Sequence, residues 1–488
     1  MENIKLRDEI HSLKRNHRFR KGQTKSKLNE IKETFILWCE KSDVNGISKI
    51  FEYKNLFIRL FFLFVLLASL GITAWIMSWS IFAYFEYGIV SQIGVVYEQP
   101  TEFPAVTICD NDLFTTQTGQ DLINELSNSS DCQNSENLNS IYCAKQLASI
   151  LASDPSYGDE NRKLLGLNLD QISCSYNGGM NCDLHWHWQY DFGNCFQFNV
   201  GLDGTNNYID KKMAQKAGID FGLQITVYSF TNRLILKYGN YNYLGTGMKV
   251  FIHNRTMEPR WSEDGVYAKP GENTMIGVKR IFVSNFPSPY TQCTDLTSYS
   301  SVIYDYFVKS NITYSQKDCF DICFELQTIR KCGCYLNQNL EQSLNIYNNR
   351  TSQCLDMLDV DCFSKEYSQV DPVKCASEYC PLECHSIQYD LSVSSLISPT
   401  FEEYNSLNLS STISYDEWRT QIININVYYS QLEYTLIKET PAMNLANLIA
   451  NLGGTMSLIV SLSFFTLVEI GELFSLIFYV LIRSKDFD

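Results

Sequence analysis

The sequence predicts a membrane protein of the α+β class, with two transmembrane helices flanking one large, disulfide-rich extracellular domain. Three observations in its 488 residues carry that prediction. Two long apolar runs lie toward the chain ends. Sixteen of the 17 cysteines fall between them. Through the later part of the intervening segment, β-branched and aromatic residues alternate with polar ones.

Residues 1–56 read as a cytosolic segment. Up to Arg59 the chain holds 14 Lys and Arg against 8 Asp and Glu, although the whole sequence has a formal net charge of −15. The basic patch Lys14, Arg15, Arg18, Arg20 and Lys21 suits a topology signal or contact with anionic lipid. Trp38–Tyr53 is a short segment with a turn at Asn45-Gly46, a pair that tolerates positive φ. The first span follows at 57–85, with Arg59 placed to snorkel to the inner interface. No short signal-peptide h-region precedes it, so this span serves as its own signal-anchor, and its basic flank stays cytoplasmic. Both termini are then cytoplasmic in the lipid membrane, and residues 86–441 lie outside.

The cysteines agree. Only Cys39 precedes the first span; the other sixteen occupy the segment assigned to an oxidising compartment. Five glycosylation sequons, at Asn128, Asn254, Asn311, Asn349 and Asn408, fall in the same segment. Its acidity disfavours nucleic acid and concentrates cations. Residues 111–168 read as a polar, peripheral excursion of helices and loops stapled by a Cys132–Cys143 bridge. Strands are expected at Met248–Asn254, Thr274–Phe286, Tyr389–Val393 and Ile422–Ile437. Tyr314–Leu326 has helical spacing, with Cys319 and Cys323 one turn apart. Cys332-Gly-Cys334 is too tight to bridge internally without strain. Cys354, Cys362, Cys375, Cys380 and Cys384 can therefore staple back onto Cys334, Cys332, Cys323, Cys319 and Cys293. That nested ladder is one of many connectivities, and sequence leaves the choice open. A zinc site would need reduced thiolates, which an oxidising compartment disfavours.

The second span, 442–482, carries the chemistry. From Asn444 to Ile482 there is no Lys or Arg, yet Gly453, Gly454, Ser457, Ser461, Ser463, Thr466, Glu469 and Glu472 interrupt the apolar run. A continuous helix of that length would run roughly 58 Å, about twice the hydrocarbon thickness. On such a helix Gly454, Ser457, Ser461, Glu469 and Glu472 fall within about 60° of one line. Ser463 and Thr466 do not. Packing glycines and serines in an ordinary anchor are the plainer alternative, but two carboxylates three residues apart argue against it. The pattern points to a pore-lining helix broken near Ser461–Ser463, followed by a short tail at 483–488.

These residues resemble one family, the degenerin, epithelial sodium channel and acid-sensing ion channel family with its peptide-gated members. The resemblance rests on Phe103-Pro-Ala-Val-Thr-Ile-Cys109, Val250-Phe-Ile-His253 before Pro259, Pro270-Gly271, and Phe286-Pro-x-Pro-Tyr290-x-x-Cys293. It continues through Tyr314-Ser-x3-Cys319-x3-Cys323, Cys332-Gly-Cys334 and Cys380-Pro-Leu-Glu-Cys384-x4-Tyr389. Asn426-Val-Tyr-Tyr429, Glu439-x-Pro441, Leu452-Gly-Gly454, Ser461-Leu-Ser463 and Glu469-x2-Glu472 complete it. Their order and spacing are specific together, and only residues 111–168 stand outside the resemblance.

The resemblance implies an amiloride-sensitive, sodium-preferring channel, a homo- or heterotrimer of related subunits, whose ectodomain forms a β palm, a thumb and a finger. Na⁺ would be the permeant ion, with no cofactor and no resident metal. Ser461, Leu462 and Ser463 match the family's narrow selectivity belt, an extended interruption of the helix. Gly453 and Gly454 would permit close helix approach at the outer pore, Ser457 matches the position tied to amiloride block, and Glu469 and Glu472 would line the pore below. Asn45-Gly46 stands where the family has a cytosolic His-Gly gating motif, so the Gly is kept and the His is not. The expected disulfide set also pairs Cys109 with Cys195 and Cys174 with Cys182.

The stimulus is less legible. Proton-gated relatives carry a His pair after the first span, where this chain has Tyr84-Phe-Glu-Tyr87-Gly88-Ile89. Without that pair, an extracellular peptide of basic and aromatic character is the favoured ligand for this acidic exterior. Proton, mechanical or constitutive opening are alternatives on the same scaffold. A non-conducting surface receptor is the rival of another class, though it has no need of a polar second span. An enzyme is disfavoured, because the six His are scattered and no nucleophile–base pattern stands out. His185-x-His187 reads as an exposed loop pair rather than a metal site.

Overall fold

The computed structural model describes residues 27–41, 47–129, 132, 140–202, 208–228, 246–261, 264–294, 296, 299–336, 352–354, 357–407, 413–461 and 463–483. The chain divides into two compact units, one formed by its two ends up to Ile89 and from Pro441, the other by Val90–Thr440.

In the larger unit a seven-stranded sheet runs in the order His385–Ile397, Glu272–Ser284, Ile422–Pro441, Leu223–Tyr228, Ile172–Tyr176, Met180–Asn181, with Ile89–Tyr97 also paired to Ile422–Pro441. Glu272–Ser284 pairs antiparallel with His385–Ile397 along all thirteen positions and parallel with Ile422–Pro441. The parallel pairing slips between Val278 and Arg280, a bulge that turns Arg280 inward. There its guanidinium donates to Glu98 Oε2 and lies against the rings of Phe282 and Tyr434, 4.9 and 5.5 Å away. Gly277 lets the strands pack closely, because a Cβ there would lie 2.5 Å from Ser392 Oγ and 2.6 Å from Ser430 Oγ and both hydroxyls would have to rotate away.

A second sheet of five antiparallel strands has the order Val266–Ala268, Met248–His253, Ala105–Asp110, Gly193–Phe198, Leu184–Gln189. Met248–His253 and Ala105–Asp110 are buried at every position, so both faces of each strand are covered. The two sheets share one core. Phe103 sits edge-on to Tyr176, Phe198 and Tyr429, with centroids 5.1, 6.0 and 5.8 Å away. The Tyr429 hydroxyl, carried inward with them, donates to the Glu102 carbonyl at 2.7 Å.

Beside the sheets, a helical module comprises Val302–Lys309, Gln316–Cys332, Met357–Tyr367 and Pro372–Glu378. Ser315 caps the long helix by accepting from Asp318 N, and Gly333 ends it in the left-handed conformation. Disulfides Cys319–Cys380, Cys323–Cys375, Cys332–Cys362, Cys334–Cys354 and Cys293–Cys384 hold this module. Cys109–Cys195 bridges adjacent strands, and Cys174–Cys182 and Cys132–Cys143 are local. The excursion is helical at Gln117–Ser127, Ser140–Ser153 and Asp159–Lys163, with a small core of its own around Phe114, Cys143 and Ile150.

One expectation fails. His185 and His187 are not an exposed loop pair: they lie on the strand Leu184–Gln189, fully paired with Gly193–Phe198. The His187 ring stacks on Trp261 at 5.9 Å, and burial pushes its pKa down to about 4. His253 behaves alike. Its Nδ1 faces two carbonyl oxygens, of Asn254 at 2.9 Å and Met257 at 2.8 Å, so that nitrogen carries the proton. Its Nε2 then accepts from Thr107 Oγ1 at 2.9 Å. Burial lowers the His253 pKa to about 4, because the ring is held neutral.

The sign of the resulting pH effect follows from the lowered value. Between pH 6.5 and 4 the unfolded chain binds a proton that folded His253 does not. The contribution of His253 to stability therefore falls as the pH drops through that window, by about 3 kcal/mol at its lower end, and is constant above it. The stability difference between the detergent-solubilised protein and its His253→Gln variant, followed by thermal unfolding from pH 7 to 4, should carry this slope.

Candidate ion pathway

The residues named for a pore belong to the unit built from the chain ends. Among the described residues one helix, Leu56–Phe85, is long and apolar enough to cross a membrane, and Leu445–Val460 is a shorter apolar helix. Asn55 caps the first by accepting from Phe57 N at 3.0 Å, and Arg59 Nε donates back to Tyr53 O at 2.7 Å. The carboxamide of Asn444 does the same for the second, accepting from Asn447 N at 2.7 Å.

Leu445–Val460 packs against Leu56–Phe85, burying Leu448 and Val460. Gly453, Gly454 and Ser457 are left exposed, and a Cβ on either glycine would meet nothing within 4 Å. The small residues are therefore not used for packing within the chain.

The helix ends at Val460. Ser461 takes φ 58° and ψ 26°, a left-handed conformation, and its N–H donates to Met456 O. A new helix, Phe464–Arg483, begins three residues later. Ser463 and Thr466 cap it reciprocally: Ser463 N donates to Thr466 Oγ1 at 3.1 Å, and Thr466 N to Ser463 Oγ at 3.3 Å. This explains why these two residues miss the polar line of a continuous helix. They serve the restart of the helix, and the Ser-x-x-Thr spacing of a capping box was the available signal.

The electrostatics of the break follow from the two ends. The carbonyl end of Leu445–Val460 carries the negative pole of its dipole, while the positive pole of the next helix is blunted by its cap. The carbonyl end of the first helix therefore dominates the field at the break.

Below it, Glu469 has a buried Oε2 that accepts no hydrogen bond among the described residues, and Glu472 is exposed. Sequence reasoning did not anticipate what holds this helix. Trp38, on the helix Lys27–Lys41, donates its indole N–H to Glu469 O at 3.1 Å. Leu462 and the turn at Asn45-Gly46 lie outside the described residues, as do the sequons at Asn349 and Asn408. Asn128 and Asn311 are exposed and Asn254 is partly buried.

The sequence profile of the amiloride-sensitive sodium channel family matches residues 38–473. The chain belongs to that family. Its members are ion channels of the plasma membrane, not enzymes. Among its relatives, the bile acid-sensitive ion channel of Mus musculus is 24% identical over 452 residues, covering 89% of this chain and 86% of the relative. The epithelial sodium channel subunit beta of Bos taurus is 28% identical over 302 residues, 58% of this chain and 43% of the relative. The match thus spans less than half the length of that subunit.

The Trp38 bond has a measurable consequence. Cys39, next to it, is buried and has no disulfide partner among the described residues, and burial raises its thiol pKa. Removing the indole donor with Trp38→Phe should raise the rate of Cys39 alkylation about fivefold, the effect of about 1 kcal/mol of hydrogen bonding on a local opening. An unchanged rate would show that the bond does not hold this helix.

Proposed function

We propose that the chain is a pore-forming subunit of a sodium-selective, amiloride-blocked channel, assembled as a trimer with itself or with related subunits. It crosses the plasma membrane at 57–85 and 442–482, with both ends in the cytosol and residues 86–441 outside as palm, thumb and finger. The observation that carries this reading is the left-handed break at Ser461, with a capped restart at Ser463, in a helix whose glycines and serines its own chain leaves uncovered. Three such breaks around an axis would ring a cation with oxygens. Replacing Ser463 with a bulkier residue should abolish current or change the Na⁺/K⁺ permeability ratio, at normal surface expression. Substitutions at Ser457 should shift amiloride potency without affecting trafficking.

For the stimulus we favour an extracellular peptide of basic and aromatic character. The acidic composition supports it, as do His187 and His253, both held neutral across the physiological range. One observation favours protons instead. The Asp318 carboxyl is pushed up to about 7 by burial, against the hydrogen bond from Ser315 and the charge of Arg260, with Asp321 and Glu258 adding to the rise. The bile acid-sensitive relative makes bile acids a third candidate. Recordings from the chain, alone and with related subunits, should separate them under acid steps, amidated peptides and bile acids. A peptide current that survives Asp318→Asn is expected; an acid current abolished by Asp318→Asn would establish the rival.

A further inference from the structure

The larger unit holds a cleft of about 900 Å³, within the ~300–1,000 Å³ range of small-molecule sites. One side is the turn after strand Met248–His253, with Asn254 and Glu258; the other is the seven-stranded sheet, with Phe282, Gln388, Tyr389 and Tyr434. We propose that the occupant of this cleft is the chain's own N-linked glycan, attached at Asn254. This rests on the reading that residues 86–441 are extracellular.

Asn254 opens the sequon Asn254-Arg-Thr256 and lines the cleft itself. Its carboxamide makes no hydrogen bond among the described residues. Asn311 differs: it is exposed, does not line the cleft, and donates its Nδ2 to the Tyr208 hydroxyl at 3.0 Å.

The walls suit a sugar. Glu258 has no ion-pair partner among the described residues, and Gln388 is exposed beside the cleft, so a carboxylate and an amide are open to sugar hydroxyls. Phe282 and Tyr434 form an edge-to-face pair 4.7 Å apart, braced by the Arg280 guanidinium, and offer apolar surface to the C–H face of a pyranose or its N-acetyl methyl.

Chain order explains how the glycan comes to be enclosed. In the folded molecule Thr256 Oγ1 and Thr313 Oγ1 are hydrogen-bonded at 2.6 Å, and Thr313 N donates to Thr256 O at 2.7 Å. The hydroxyl a sequon needs for sugar transfer is thus engaged once residue 313 has docked. Attachment must come earlier, on the emerging chain. In that step Asn254 Nδ2 bonds to the anomeric carbon of a lipid-diphosphate-linked oligosaccharide, the anomeric C–O bond breaks, the lipid diphosphate leaves, and the amide releases one proton. The wall residues from Phe282 to Tyr434 are all made after Asn254, so they close around a sugar already in place.

The test is release of glycans by peptide-N-glycosidase from the intact, solubilised channel, read site by site by peptide mass spectrometry. Release at Asn254 should be at least about tenfold slower than at Asn128 and Asn311, corresponding to 1.4 kcal/mol of protection. After denaturation the three should react alike. Glu258→Ala with Gln388→Ala, both at exposed positions, should bring native release at Asn254 to the rate of the other two. Equal native release in the unmodified protein overturns the proposal. So does protection that the double variant leaves intact, which would assign it to local backbone structure. An unmodified Asn254 beside glycosylated Asn128 and Asn311 overturns the proposal alone, whereas three unmodified sites would overturn the extracellular reading as well.

Discussion

The pairing of Ile422–Pro441 with its neighbours is the constraint on which the larger unit depends. This strand contacts Glu272–Ser284, Leu223–Tyr228 and Ile89–Tyr97, segments that precede it by roughly 150 to 330 residues. Its buried side chains Ile423, Ile425, Val427 and Tyr429 stand in the centre of the shared core. The sheet cannot be completed until almost the whole segment has been synthesised, and loop closure over such distances is slow. Parts that can form earlier must hold together without it.

The cysteines answer that need. The bridges close loops of 8 to 91 residues, and each limits the freedom of the unfolded chain. The helical module has local contacts of its own, with its cap at Ser315, its left-handed stop at Gly333 and a core of Ile303, Phe307, Cys319 and Cys323. The excursion around Cys132–Cys143 likewise has its own core.

What could be read from sequence follows the same division. Strands with strong β-branched alternation, such as Glu272–Ser284 and Ile422–Pro441, declare themselves, and so does the helix carrying Cys319 and Cys323 one turn apart. Leu184–Gln189 does not, because alternating His and Trp carry no clear apolar face until Trp261 and Gly193–Phe198 supply partners. Short strands such as Ala105–Asp110 are buried on both faces and lack a polar-out alternation. In the candidate pathway, the interruption at Ser461–Ser463 was legible from polar residues that would not share one helical face. The Trp38–Glu469 contact, across 431 positions, leaves no trace in local pattern.

The left-handed residue at Ser461 also has a consequence for how such a helix can change over generations. In an unbroken α-helix the azimuth of every side chain is locked to every other by a fixed rotation of about 100° per residue. A substitution that turns the upper half turns the lower half with it. The interruption between Val460 and Phe464 uncouples them, so the facing of Gly453, Gly454 and Ser457 is independent of the facing of Glu469 and Glu472. The break gives selection two independent dials where an intact helix would have one.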